Sequence, residues 1–234
     1  MHDLLNAAQS RRAMVRNGLV LAGAVAVPAM VSASVQRLTQ DALTPATQPP
    51  VPGFPAPAAA PMTSPNVVRP ALFRRALAAL DAQGSRVARD RIAIADFAAP
   101  SAQARFHLID LRSGGSTSFL VAHGSGSDPS HTGWLQRFSN EPGSNASSEG
   151  AFLTADYYVG KHGRSQRLIG MDPTNNNALE RALVVHAAWY ADADMIRTHG
   201  MLGRSQGCFA VAERDLDQVF ARLGSGRMIF AAKV

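Results

Sequence analysis

Gly203-Arg204-Ser205-Gln206-Gly207-Cys208-Phe209-Ala210 contains the only cysteine of the 234-residue chain. A glycine directly before it permits close backbone approach, and successive amides at such a turn can stabilise a thiolate or an oxyanion. Arg204, four residues earlier, would favour the thiolate if it points inward. One cysteine excludes an intramolecular disulfide and any cysteine-rich zinc or iron–sulfur centre. In an oxidising compartment an unpaired thiol is a liability unless it is protected or used. These features alone leave two readings open, a nucleophile and a buried structural cysteine.

A nucleophilic thiol needs a base to take or share its proton, and seven histidines are available. His2 lies in the N-terminal segment. His186 ends the apolar run Ala182-Leu183-Val184-Val185-His186, so a neighbouring strand could bring it to Cys208. His123 also ends a strand and precedes Gly124-Ser125-Gly126. His107 alternates within a strand, while His131, His162 and His199 fall in loops. Position alone does not choose among them, because a lone histidine on a strand commonly serves as a structural hydrogen-bonding group.

Outward from this stretch, the pattern predicts a mainly β domain with flanking helices, an α+β class. Pro70 suits the first turn of a helix, and Leu72, Phe73, Ala76, Leu77 and Leu80 recur at helical spacing before Gly84. Residues 91–97 and 104–111 alternate as strands. Ser113-Gly114-Gly115-Ser116 makes a turn, and 117–122 returns as a hairpin partner. From 124 to 177 the chain is rich in Gly, Ser and Asn, with strand-like pieces at 151–158 and 166–171. Long polar loops on short strands are where binding sites sit. Asn177 to Arg181 suggests a helical turn. Glu213 to Leu223 reads as a helix closed by Gly224, and 227–232 as a final strand, which puts the helices at the two ends of a sheet or barrel.

The first seventy residues read as address and tether. Ser10-Arg11-Arg12-Ala13-Met14-Val15-Arg16, then an apolar run over 18–31 and small residues after it, predict a secretory signal peptide over 1–33. The paired arginines resemble the twin-arginine export pattern. Fourteen apolar residues fall short of the ~20 of a spanning helix, so membrane contact is expected only through an uncleaved signal. Residues 44–65 hold eight of the fourteen prolines, and 34–69 read as a Pro/Ala-rich linker. The formal charge is +6; removing Arg11, Arg12, Arg16 and Asp3 with the signal takes away +2 and leaves +4. The remaining arginines are scattered, which offers no nucleic-acid footprint.

His186 followed by Ser205-Gln206-Gly207-Cys208 resembles the L,D-transpeptidase catalytic-domain family of YkuD type. Its murein branch is the nearer likeness, in Ala122-His123-Gly124, Phe138-Ser139-Asn140, Ser147-Ser148-Glu149-Gly150, Tyr158-Val159-Gly160-Lys161-His162-Gly163 and Arg204-Ser205-Gln206-Gly207-Cys208. The resemblance runs from about Ala71 to the C-terminus. It implies a YkuD-type β-sandwich or barrel-like domain over 70–234, exported to the periplasm or cell wall. It makes Cys208 the nucleophile, His186 the general base, the amides of Gly207 and Cys208 an oxyanion hole, and Ser205 the signature serine. Substrate-binding candidates are His123 and Asn140 in the shared motifs, with Arg204, Lys161 and Arg164 as charged groups able to hold a carboxylate.

The reaction implied is attack on a peptidoglycan stem peptide. The thioester formed is then resolved by an amine, in transpeptidation, or by water, in carboxypeptidation, without metal or organic cofactor. Carbapenem-type inhibitors are expected to acylate the cysteine. Gln206 replaces the histidine of Ser-His-Gly-Cys, Ala187 the glycine after the base, and Phe209-Ala210 the usual following pair. Two rival classes remain open. One is a non-catalytic peptidoglycan-binding module. The other is a zinc hydrolase built from His123, His162, His186 and Asp156, for which no ligand spacing speaks.

Overall fold

The computed structural model describes residues 67–234 together with the two-residue strand β1 (Met62–Thr63). The signal peptide expected over 1–33 and most of the expected linker lie outside the described residues. The remaining elements are α1 (Pro70–Gln83), β2 (Arg91–Asp96), β3 (Phe106–Asp110), β4 (Gly115–Phe119), β5 (Gly150–Gly160), β6 (Gly163–Gly170), β7 (Val184–Ala187), α2 (Ala193–His199), β8 (Phe209–Val211), α3 (Leu216–Leu223) and β9 (Met228–Ala232).

Ordered packing starts before the expected domain boundary at Pro70. β1 pairs antiparallel with β4, Val68 is buried with the α1 core, and the Arg69 guanidinium pairs with Asp96. Pro70 then opens α1, where its missing N–H costs nothing, and Gly84 at φ 54° ends it. Leu72, Ala76 and Leu80 face inward onto Ile92, Ile94, Met228 and Phe230. α3 buries Leu216, Val219, Phe220 and Leu223 in a second, larger cluster with Phe106, Phe152, Phe209 and Ile229. Sheet strands therefore carry apolar residues on both faces, which explains why β2 and β9 read as nearly continuous apolar runs.

The nine strands of the described residues form one mixed sheet in the order β1-β4-β3-β2-β9-β5-β6-β7-β8. β2 with β9 and β7 with β8 are parallel, and the other pairs are antiparallel. Beyond β4 the chain bridges β8 at Ala122↔Ala210, so the far end of the sheet curls back toward its beginning. That closure gives the barrel-like form expected of a mainly β domain. A further helix, α2, lies between β7 and β8, so helices are not confined to the two ends. Its start is capped by the Asp192 side chain on the Asp194 amide, and Gly200 at φ 73° ends it. The expected helical turn over 177–181 is a run of turns instead.

Candidate active site

β8 starts immediately after Cys208, so the anchoring of its first residue fixes the backbone beside the thiol. Phe209 turns inward, 1% exposed, with its ring 5.4 Å from Phe152 and 6.1 Å from both Phe97 and Phe106. Cys208, just before the strand, is left partly exposed at the edge of the same cluster. Phe209 thus replaces the family's usual residue with a core anchor that fixes the strand directly behind the thiol.

The loop before β8 is stitched on all sides. Ser205 donates its amide to the His123 carbonyl at 2.9 Å and accepts the Ser125 amide at 2.8 Å. Its hydroxyl donates to the Cys208 carbonyl at 2.7 Å and accepts the Gly207 amide at 3.1 Å. Ser205 therefore pins the turn across the nucleophile. Gly207 adopts φ 109°, and a Cβ there would sit 2.6 Å from the Ala146 carbonyl oxygen, so only glycine fits. At Gly124 the approach is as close, since a Cβ would lie 2.8 Å from the Gly207 nitrogen. In this state the Gly207 amide, one of two expected oxyanion donors, is already engaged by Ser205.

His186 lies on β7, in register with Ala210 of β8 and Ser165 of β6. It is 1% exposed. Its Nδ1 meets the Ala187 carbonyl at 2.8 Å. A carbonyl only accepts, so Nδ1 carries the proton and the neutral ring keeps a lone pair on Nε2. Burial, chiefly, with help from His162 and Lys161, holds the His186 pKa below the ordinary imidazole value against the Ala187 hydrogen bond. Ala187 occupies extended backbone at the end of β7, a conformation that needs no glycine, so this departure from the family pattern leaves the strand intact.

Burial pushes the Cys208 thiol up, while the Val184 amide, Lys161 and Arg181 act the other way. The thiol Sγ lies 3.7 Å from the Ala182 carbonyl. Three further residues lie about this centre, of which only His162 stood in a motif legible in the sequence. Arg181 sits with its guanidinium against Gly207 and donates to the Ser139 carbonyl at 2.8 Å, the Ala146 carbonyl at 2.6 Å, and the Ser148 and Ser144 hydroxyls. Tyr190 lies near the thiol, and burial and then Cys208 push its phenol up to about 12. His162 stacks on His186 with ring centroids 4.4 Å apart and planes 26° from parallel. A cleft of about 200 Å³ opens beside the thiol loop, lined by Pro142, Gly143, Asn145, Glu180, Arg181 and Gln206.

The other candidates are placed differently. His123 is 1% exposed and engaged at both nitrogens. Arg105 Nη2 donates to its Nδ1 at 2.7 Å, so Nε2 carries the proton toward Asp128 Oδ2 at 3.4 Å. Arg204 donates to the Asp128 and Pro129 carbonyls. Both residues brace the loop behind Ser205. Asn140 joins two loops through Pro173, Asn176 and Asn177. Arg164 pairs with Asp217 and lies over Phe220 of α3. Of the charged candidates, Lys161 at the β5–β6 tip is the one whose charge acts on both Cys208 and His186. Among the described residues no group of three or more His, Cys, Asp or Glu side chains is placed to hold a metal ion. His123, His162, His186 and Asp156 do not converge into such a group.

The sequence model of the L,D-transpeptidase catalytic domain matches residues 64–232. The chain belongs to the L,D-transpeptidase catalytic-domain family. No curated protein sequence matches the chain. Among solved structures, the LD transpeptidase LdtMt1 in complex with imipenem is similar at 12% identity over 61% of this chain and 59% of its own, with a TM-score of 0.38. L,D-transpeptidase 3 of Mycobacterium tuberculosis, in complex with a faropenem-derived adduct, is similar at 14% identity over 62% and 60%, with a TM-score of 0.36. The cell shape determining protein Pgp2 of Campylobacter jejuni is similar at 9% identity over 71% and 57%, with a TM-score of 0.40. The chain thus spans under two thirds of the length of each.

Proposed function

We propose that the protein is an exported, cysteine-dependent L,D-transpeptidase acting on peptidoglycan stem peptides through an acyl-enzyme on Cys208. The observation that carries this reading is a partly exposed thiol directly before β8 and, on the adjacent strand β7, an imidazole whose Nδ1 proton is committed to the Ala187 carbonyl. Such an imidazole presents Nε2 as a base.

His186 Nε2 takes the thiol proton as the sulfur attacks the carbonyl carbon of the third stem residue. The tetrahedral oxyanion is held by the Cys208 amide, with the Gly207 amide joining if it exchanges Ser205 for the oxyanion. Collapse breaks the C–N bond, and His186 gives its proton to the departing amine of the D-amino acid. A second stem's amine then attacks the thioester, His186 takes the proton from that amine, and the proton returns to the departing sulfur. Lys161 and the cleft around Gln206 and Arg181 receive the stem's carboxylate and polar groups. Arg204, His123 and Asn140 serve by holding the loops. Carbapenems acylate the same sulfur by opening the lactam ring.

Incubation of the full chain with defined tetrapeptide-stem muropeptides tests the reading by product mass. Cross-linked dimer and free D-amino acid are the expected products. A shortened stem without dimer would make water the acceptor and the activity that of an L,D-carboxypeptidase. Binding without any turnover would leave a peptidoglycan-binding module.

A further inference from the structure

The β5–β6 hairpin ends in Lys161 and His162, and the proposed reaction uses Lys161 but gives His162 no part. Gly160 and Gly163 close its tip as a register pair, and this brings the His162 ring onto the face of His186 at 4.4 Å and 26°. The two rings differ in setting. His162 is exposed, whereas His186 is buried. Two imidazolium rings this close repel, so the pair takes its first proton on the exposed member.

We infer that His162 is a positioning residue for the general base, stacking on His186 and keeping it unprotonated as the medium turns acid. The inference rests on His186 being the base. The charged group that acts on both rings is Lys161 on the same hairpin tip, while the Ala187 carbonyl holds the His186 Nδ1 proton, and Arg181 and Tyr190 act on Cys208 instead. Lys161 pushes both imidazoles in the same direction, downward, after burial. Once His162 is charged, its cation opposes a second proton on His186 across the stack, and Nε2 of His186 stays free. The hairpin tip therefore extends the working range of the site to lower pH. It also shields one face of the base from water.

Proton NMR titration of the imidazole Cε1–H signals in the full chain reads this directly, with His186→Gln assigning the resonance. His162→Phe keeps an aromatic ring in the stack and deletes the charge, and a neutral ring face favours a neighbouring cation. The His186 midpoint is expected to rise by at least about 0.5–1 pH unit in His162→Phe, the size of one unit charge at this separation under the full screening of bulk water. His162→Ala is expected to raise it too, while the His107 midpoint stays where it is in both. An unchanged or lowered His186 midpoint in His162→Phe overturns the inference, as does a rise confined to His162→Ala, which would assign the effect to cover rather than charge. The readout is a proton on a ring, so it succeeds or fails whether or not the protein turns over a stem peptide.

Discussion

Replacing His186 with glutamine is expected to slow acylation of Cys208 by about 10²–10⁴-fold at neutral pH, the range removed with a general base. Burial raises the Cys208 thiol above its ordinary value, so little thiolate exists at rest and the proton must leave during attack. A preformed ion pair would make the base dispensable, but the buried, low-pKa His186 disfavours one. The pH dependence has a definite sign. In the native protein the rate falls only as His186 protonates, and its midpoint lies below the usual 6.5, so activity persists into mildly acid solution. In His186→Gln that plateau disappears, and the residual rate climbs tenfold per pH unit as the thiol itself ionises. Rate constants for carbapenem acylation measured across pH would show this. A variant with native rate and native profile would remove His186 from the mechanism.

Arg105→Met is expected to destabilise the domain by about 3–5 kcal/mol, the cost of breaking a buried ionic network from one side. Arg105 is 0% exposed. It donates from Nε and Nη2 to the Val121 carbonyl, from Nη1 to the Ala99 carbonyl at 2.8 Å, and from Nη2 to His123. Burial pulls its guanidinium down to about 9, still a cation at neutral pH. Methionine would fill the volume and leave those acceptors dry and unpaired. Asp128 would lose a balancing charge. Burial is the largest influence on that carboxyl and pushes it up, yet hydrogen bonds from the Thr132 amide and hydroxyl and the Gly133 amide together keep its pKa below the usual value.

The same network sets how stability depends on pH. Burial and then Arg105 hold His123 down at about 4, against 6.5 when unfolded. The unfolded chain therefore binds that proton first. Stability from a neutral His123 is present above about pH 6.5 and is lost as pH falls toward 4, up to about 3 kcal/mol. Urea denaturation at pH 7 and pH 5 would register both effects as a lower midpoint with an unchanged slope. An Arg105→Met midpoint equal to the native one would mean the network holds nothing.

How much of this was legible in the sequence varies with the kind of signal. Period-two alternation exposed β2 and β3, a continuous apolar run exposed β9, and helical spacing from Pro70 exposed α1, because each pattern follows from the faces the element buries. α2 hid because none of its seven residues is buried, so no apolar stripe marks it. β8 is three residues long, too short for a pattern. Val68 and β1 were hidden in a proline-rich stretch whose composition reads as linker. Charged residues were the hardest. Arg204 and Arg164 looked like substrate contacts but are engaged by backbone carbonyls and by Asp217. Arg181 and His162, which do face the thiol and the base, owe their positions to loop contacts between residues some 20 to 40 apart in sequence, and no local period encodes such contacts.

The most direct test of the central claim is the intact mass of the full chain after exposure to a carbapenem, beside Cys208→Ala. One inhibitor mass on the native protein, mapped to Cys208 and absent from the variant, is the result expected of an activated nucleophile in this site. A native protein that stays unmodified, though folded and reduced, or an adduct that persists in Cys208→Ala, would contradict it.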